Sequence, residues 1–212
     1  MAELLEFLDR RLRAPLPGEE AQVLMIPTSG SRERFSLAAR KDAQPGGVLI
    51  LLYQKNNEWF FPLIQRPDYD GVHAKQMSFP GGKMDATDPD LTYTALREAE
   101  EEIGVNMDQI KVLGHLTELF IIASNFNVQP TVAWHPGKPV FTPDELEVDE
   151  IVEVRLADLL DDSLVQEKPI KISYGITLQA PYFHLNGKVV WGATAMMLAE
   201  FKVILQPFFS GA

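Results

Sequence analysis

Four glutamates crowd one short stretch of this chain, "REAEEEIG" at residues 97–104, where Glu98, Glu100, Glu101 and Glu102 precede Gly104. Asp88 followed by Pro89 reads as a helix start and Gly104 as a helix stop, so the pattern predicts a helix from about Pro89 to Ile103. At about 100° per residue, Glu101 and Glu102 fall within about 60° of Glu98, beside an apolar stripe of Leu96, Ala99 and Ile103. Glu100 falls on a different face. Acidic runs on helices are usually solvated faces, but this one carries costs. Like charges at i, i+4 repel, and acids in the last turn oppose the helix dipole, each by about a few tenths of a kcal/mol. Arg97 is the one local compensating charge. Three carboxylates gathered beside a core are pushed toward protonation unless a cation lies among them, and hard oxygen ligands suit Mg²⁺ or Mn²⁺. Just upstream, "FPGG" (79–82) ends in Gly81 and Gly82, which permit close approach of main-chain carbonyls to a ligand or ion and equally suit a plain turn.

The elements that must position this helix follow from periodicity. Leu4, Leu5, Leu8 and Leu12 recur at helical spacing and predict an amphipathic helix over 2–13, which "PLPGEE" ends. Residues 22–45 are mixed, with a loop at "TSGSRER". "GGVLILLY" reads as a buried strand, "KNNE" as a hairpin turn, and "WFFPLIQR" as its partner strand. Residues 67–78 look irregular. "IKVLGHLTELF", "FNVQPTVAWHP" and "IVEV" are strand-like, "FTPDELEVDE" is an acidic loop, and "LADLLDD" a short helix. "APYFHLNGKVVWG" is a hairpin turning at Asn186-Gly187, and a last helix is expected over 193–205. Strands and helices mix without strict alternation, which predicts one α+β domain with a mixed sheet covered by helices.

Composition narrows the functions. A formal net charge of −11 argues against a general nucleic-acid binder, since phosphate backbones are held by clustered Lys and Arg. It does not argue against a small phosphorylated substrate, because a bound cation reverses the local sign. The chain has no cysteine, so disulfides, zinc–thiolate sites and thiol nucleophiles are excluded. The charged N-terminus lacks a signal-like core and the run "VLILLY" is too short to span a bilayer; a cytoplasmic protein without membrane association is expected.

Together, Gly82 through Val105 resemble the Nudix box, G-x5-E-x7-R-E-U-x-E-E-x-G-U with U aliphatic. Its second half is matched by Arg97, Glu98, Ala99, Glu101, Glu102, Gly104 and Val105. In the first half Asp88 stands in place of the family's Glu, with eight residues before Arg97 in place of seven. That insertion, and the preceding "RPDYDGVHAKQMSFPGG", resemble the coenzyme A pyrophosphatase branch through Arg66, His73, Gln76, Phe79, Pro80, Gly81 and Gly82; Pro67, Asp70, Gly71, Lys75 and Met77 depart from it. "WGATA" at 191–195 is similar to that branch as well. The resemblance covers about residues 40–205, with the helix at 2–13 as an extension.

The resemblance implies an α/β/α sandwich and metal-dependent hydrolysis of a small-molecule diphosphate. Coenzyme A or an acyl-coenzyme A would give adenosine 3′,5′-bisphosphate and 4′-phosphopantetheine. ADP-ribose, a dinucleoside polyphosphate and a non-catalytic binding module are the alternatives. By position, Glu98, Glu101, Glu102 and the Gly81 carbonyl would hold the metal, and Arg97 would hold the glutamates. The general base is left between Glu98 and Glu147, the latter in the acidic loop. Arg66, His73 and Gly82 would meet the substrate. Asp88 is either a helix cap or a substitute for the first box glutamate. His115, His135 and His184 read as structural, Trp191 as strand-to-helix packing, and Tyr69, Phe120 and Phe126 as candidates for stacking on an adenine. A homodimer is compatible with the sequence.

Overall fold

The run Val48–Tyr53 is apolar at every position because both faces of its strand are covered. Leu49 and Leu51 pack with Ala95, Ala99 and Ile103 of one helix, while Ile50 and Leu52 join Leu4, Leu8, Phe201 and Leu205 on the other side. The structure, a computed structural model, describes residues 2–27, 40–67, 76–171 and 177–211. Strand β1 (Gln44–Lys55) lies at the centre of a mixed sheet. It pairs antiparallel with β2 (Glu58–Gln65) and parallel with β7 (Phe126–Trp134). The short β3 (Met77–Ser78) pairs with β2, and β4 (Gly81–Lys83) pairs with the start of β1, Val48 opposite Gly81.

Helix α3 (Leu91–Ile103) covers one face of this sheet; α1 (Ala2–Arg11) and α5 (Gly192–Phe209) cover the other. The α2 turn (Glu19–Gln22) follows α1. β5 (Lys111–His115) and β6 (Leu119–Ile121) both pair with β7, so the expected single strand over 110–120 is broken in two. At the break, the Thr117 amide and hydroxyl donate to the buried Glu200 carboxylate of α5, which also accepts from Gly18 N and Gln22 Nε2. That one acid ties the N-terminal segment, the strand break and α5 together.

β8 (Glu150–Arg155) pairs with β2 and leads into α4 (Leu156–Leu160). A second sheet has β10 (Thr177–Leu185) between β11 (Lys188–Trp191) and β9 (Val165–Lys171). β9 is absent from the sequence-level expectation because "VQEKPIK" carries Pro169 and little apolar character. It lies at a sheet edge, where proline's missing N–H is tolerated. Both expected hairpin turns are present, with positive φ at Asn56 and Asn57 and at Asn186 and Gly187.

One boundary is corrected. The helix begins at Leu91, not Pro89, and its cap is Asp90, whose carboxylate accepts from Tyr93 N at 2.8 Å. Asp88 lies two residues before that cap and is buried.

Candidate functional site

Gly81 and Gly82 are placed by β4, and α3 crosses directly over them. Gly81 has φ 147°, and a side chain there would strike Gly47 O and Val48 of β1. At Gly82 an added Cβ would lie 2.3 Å from Glu98 Oε2, so the glutamate carboxylate rests against bare backbone. Glu102, one turn along, accepts the Gly81 N–H at 2.7 Å and is 1% exposed. The strand–turn–helix arrangement therefore brings Glu98, Glu102, Gly81 and Gly82 into direct contact.

Two guanidinium groups offset part of the cluster's charge. Arg97 donates to Asp88 through Nε at 3.1 Å and Nη2 at 3.0 Å, to Glu98 Oε1 at 2.8 Å, and to Glu101 Oε2 at 2.9 Å. It also reaches the Lys83 carbonyl at 3.3 Å. Asp88 is held further by the Thr94 hydroxyl at 2.9 Å and the Asp85 amide at 3.0 Å. The cap reading of Asp88 gives way, since Asp90 caps the helix; Asp88 is instead the buried partner that fixes Arg97. Arg66, at the end of β2, donates to the Gly81 carbonyl at 3.1 Å and lies 3.5 Å from Glu102 Oε1. It is a second compensating cation, invisible to reasoning confined to the helix.

The charges respond as their surroundings dictate. Burial pushes Glu102 up to about 7, against the opposing effects of Arg66 and the Gly81 N–H. Glu98 is also raised, chiefly by burial and against the Arg97 hydrogen bond. Arg97 hydrogen bonds hold Asp88 down to about 2. The charge of Glu147 raises both Glu98 and Glu102, so the acidic loop faces this cluster. That loop is fastened to the end of α3: Thr142 N donates to Ile103 O and Asp144 N to Glu102 O. Gly104, in the left-handed region at φ 71°, lets the chain turn there.

The other candidates are distributed more widely. Glu101 is on the rim, its side chain 58% exposed, and Glu100 caps the following turn through Met107 N. His73, Tyr69 and Lys75 lie outside the described residues. His115 bonds Thr92, His135 bonds Gly137 O and Gln109, and His184 packs edge-on to Tyr182. Phe120 is covered by the Arg40 guanidinium, and Phe126 packs over Gly46. Trp191 is half-buried at the start of α5 and lines a recess.

As a cation site, the cluster has the right donor chemistry: carboxylate and carbonyl oxygens, with the buried Glu102 and raised Glu98 short of positive charge. Among the described residues, no three acidic or histidine side chains converge on one point, because Arg97, Arg66 and the Gly81 amide each engage a carboxylate. The acids share a sector but are turned onto guanidinium and amide donors.

Comparison with known proteins gives a consistent picture. Residues 43–171 match the model of the NUDIX domain. The chain is 35% identical over 136 residues to a Yersinia enterocolitica protein named "Uncharacterized Nudix hydrolase NudL", covering 64% of this chain and 69% of that one. A Yersinia pestis protein of the same name is also 35% identical, with 67% of its length covered. Among solved structures, a C. elegans Ap4A hydrolase binary complex superimposes with TM-score 0.52 at 18% identity, over 80% of this chain and 99% of that one. No helix among the described residues is long and apolar enough to cross a membrane.

Proposed function

The chain belongs to the Nudix family of hydrolases, and we propose that it cleaves the diphosphate of coenzyme A or an acyl-coenzyme A, using Mg²⁺ or Mn²⁺. The observation that carries the reading is the contact of Glu98 and Glu102 with the Gly81–Gly82 turn, held from both sides by Arg97 and Arg66. The coenzyme A preference is supported by Arg66, Gln76, the "FPGG" turn and "WGATA".

The residues that would hold the cation are Glu98, Glu101, Glu102 and the Gly81 carbonyl. When bound, such an ion screens the diphosphate oxygens and lowers the pKa of a water. The chain itself supplies positioning. Arg97, locked on Asp88, fixes the Glu98 and Glu101 carboxylates. It engages Glu98 through Oε1, which leaves Oε2 to accept the proton of the attacking water if Glu98 is the base; Glu147 is the alternative base from the loop. Arg66 lies beside the cluster and offers N–H donors matched to phosphate oxygens. His73 and the Gly82 backbone are further substrate contacts. The water oxygen forms a bond to one phosphorus, the bridging P–O bond breaks, and two phosphomonoesters leave.

The test is a substrate panel of coenzyme A, an acyl-coenzyme A, ADP-ribose and a dinucleoside polyphosphate, each with Mg²⁺ or Mn²⁺, with products followed by mass. Release of adenosine 3′,5′-bisphosphate from coenzyme A at the highest kcat/KM is the expected result; preference for another diphosphate overturns the substrate assignment. Glu101→Gln and Glu102→Gln should each abolish turnover with the fold intact. Near-normal activity in both removes the metal-ligand assignment.

A further inference from the structure

We propose that a recess of about 280 Å³ on the second sheet receives the nucleoside end of the substrate, with a planar base against Trp191 and a ribose-borne phosphate monoester on Lys168. The inference rests on the diphosphate being bound at the Glu98–Glu102 cluster. Gln76, Lys168, Pro169, Ile170, Lys171, Val189 and Trp191 line the recess.

The pairing register explains how these residues meet. Phe183, Leu185 and Val190 turn one face of the sheet into the core. Strand alternation puts Lys168, Ile170, Val189 and Trp191 on the opposite face, where Lys168 pairs with Ala180 and Trp191 with Tyr182. Lys171, the last residue of β9, completes the rim. In a chain of net charge −11, the described residues lining this recess include two lysines and no acid. The Lys168 ammonium lies over the Tyr182 ring, 5.2 Å from its centroid, and no carboxylate among the described residues pairs with it. Indole, amide and ammonium are the complement of a base carrying its own phosphate, whereas a flexible aliphatic arm calls for an apolar lining.

The recess is joined to the acidic cluster by one stretch of chain. The Gln76 carbonyl accepts from the Arg66 N–H at 3.1 Å, and Arg66 in turn touches Gly81 and Glu102. From the other side, Thr194, three residues beyond Trp191, donates to the Met77 carbonyl at 3.0 Å. Gln76 and Gly81 are five residues apart, so their separation is at most about 18 Å even fully extended, within the span of one nucleotide-containing substrate.

The experiment is calorimetric titration of metal-free protein with adenosine 3′,5′-bisphosphate, AMP and inorganic phosphate. The bisphosphate should bind about tenfold tighter than AMP, and inorganic phosphate more weakly than either. Lys168→Gln should erase the advantage of the bisphosphate, Lys168→Arg should keep it, and Trp191→Leu should weaken both nucleotides. Equal affinity for the bisphosphate and AMP, or a Lys168→Gln variant that is folded and unchanged, overturns the proposal. Glu101→Gln separates the two readings. If it is inactive while Lys168→Gln binds the bisphosphate normally, the recess assignment alone falls. If it remains active, the metal-ligand role of Glu101 falls, and the titration still decides the recess.

Discussion

Replacing Glu102 with glutamine should make the metal-free protein more stable at alkaline pH while destroying its activity. The carboxyl is 1% exposed and its proton-binding midpoint is raised from 4.5 to about 7, with burial as the leading cause. Because the folded value lies above the unfolded one, the stabilising contribution of this group is fully present below pH 4.5 and is lost as pH rises through about 7. At about 1.4 kcal/mol per pH unit, the loss is roughly 3 kcal/mol by pH 8.5. Glutamine keeps an oxygen for the Gly81 N–H and carries no charge. It gives up the 3.5 Å approach to Arg66, but that attraction already opposes burial in setting the raised value and is not subtracted again. The net gain is about 3 kcal/mol at pH 8.5, or a Tm higher by about 6–12 °C for a chain of this size. It should shrink to nothing near pH 4.5. Denaturant titrations of both proteins in EDTA, from pH 4.5 to 8.5, measure the difference directly. A variant less stable than the parent at pH 8.5, or a difference that does not change with pH, would refute the reasoning.

Two further substitutions probe the supports. Asp88→Asn should behave in the opposite sense. Arg97 holds Asp88 down to about 2, so its stabilisation is present above pH 3.8 and is lost as pH falls through about 2. The cost should be about 2 kcal/mol at pH 7, with a fall in kcat as Arg97 loses its anchor; an unchanged denaturation midpoint and kcat would show that Arg97 is fixed by other means. Glu200→Ala strips the acceptor from Gly18, Gln22 and Thr117 together. It should cost about 3 kcal/mol and open residues 12–18 to limited proteolysis, whereas unaltered cleavage kinetics would contradict its role as the clamp of the N-terminal segment.

What could be read from the sequence follows the range of the interactions. Periodicity located β1, α3 and α5 because each buries a continuous face, and Asn-containing turns located both hairpins because a two-residue connection with positive φ leaves few alternatives. The Glu98–Glu102 proximity is a property of helical rise, so it too was legible. Choosing Asp88 over Asp90 as cap failed because both aspartates satisfy the local rule; burial beside Thr94 and Arg97 decides between them. β9 was hidden by Pro169 and its charged neighbours, which an edge position accepts.

The pairing of Arg66 with Glu102 shows where such reading ends. Nothing at 97–104 announces a cation thirty-odd residues upstream; it arrives because β2 and β4 both flank β1, with Val48 opposite Gly81. The two arginines are then unequal. Arg97 is committed to Asp88, a buried carboxylate whose other oxygen partners are all protein groups, and leaving it would strand a charge at a cost of about 3–5 kcal/mol. Arg66 has a carbonyl and a carboxylate at 3.5 Å among the described residues, so turning away from them sacrifices far less. A site that must accept both a cation and an anionic diphosphate needs one guanidinium that stays and one that yields, and Arg66 is the one whose bonds permit it.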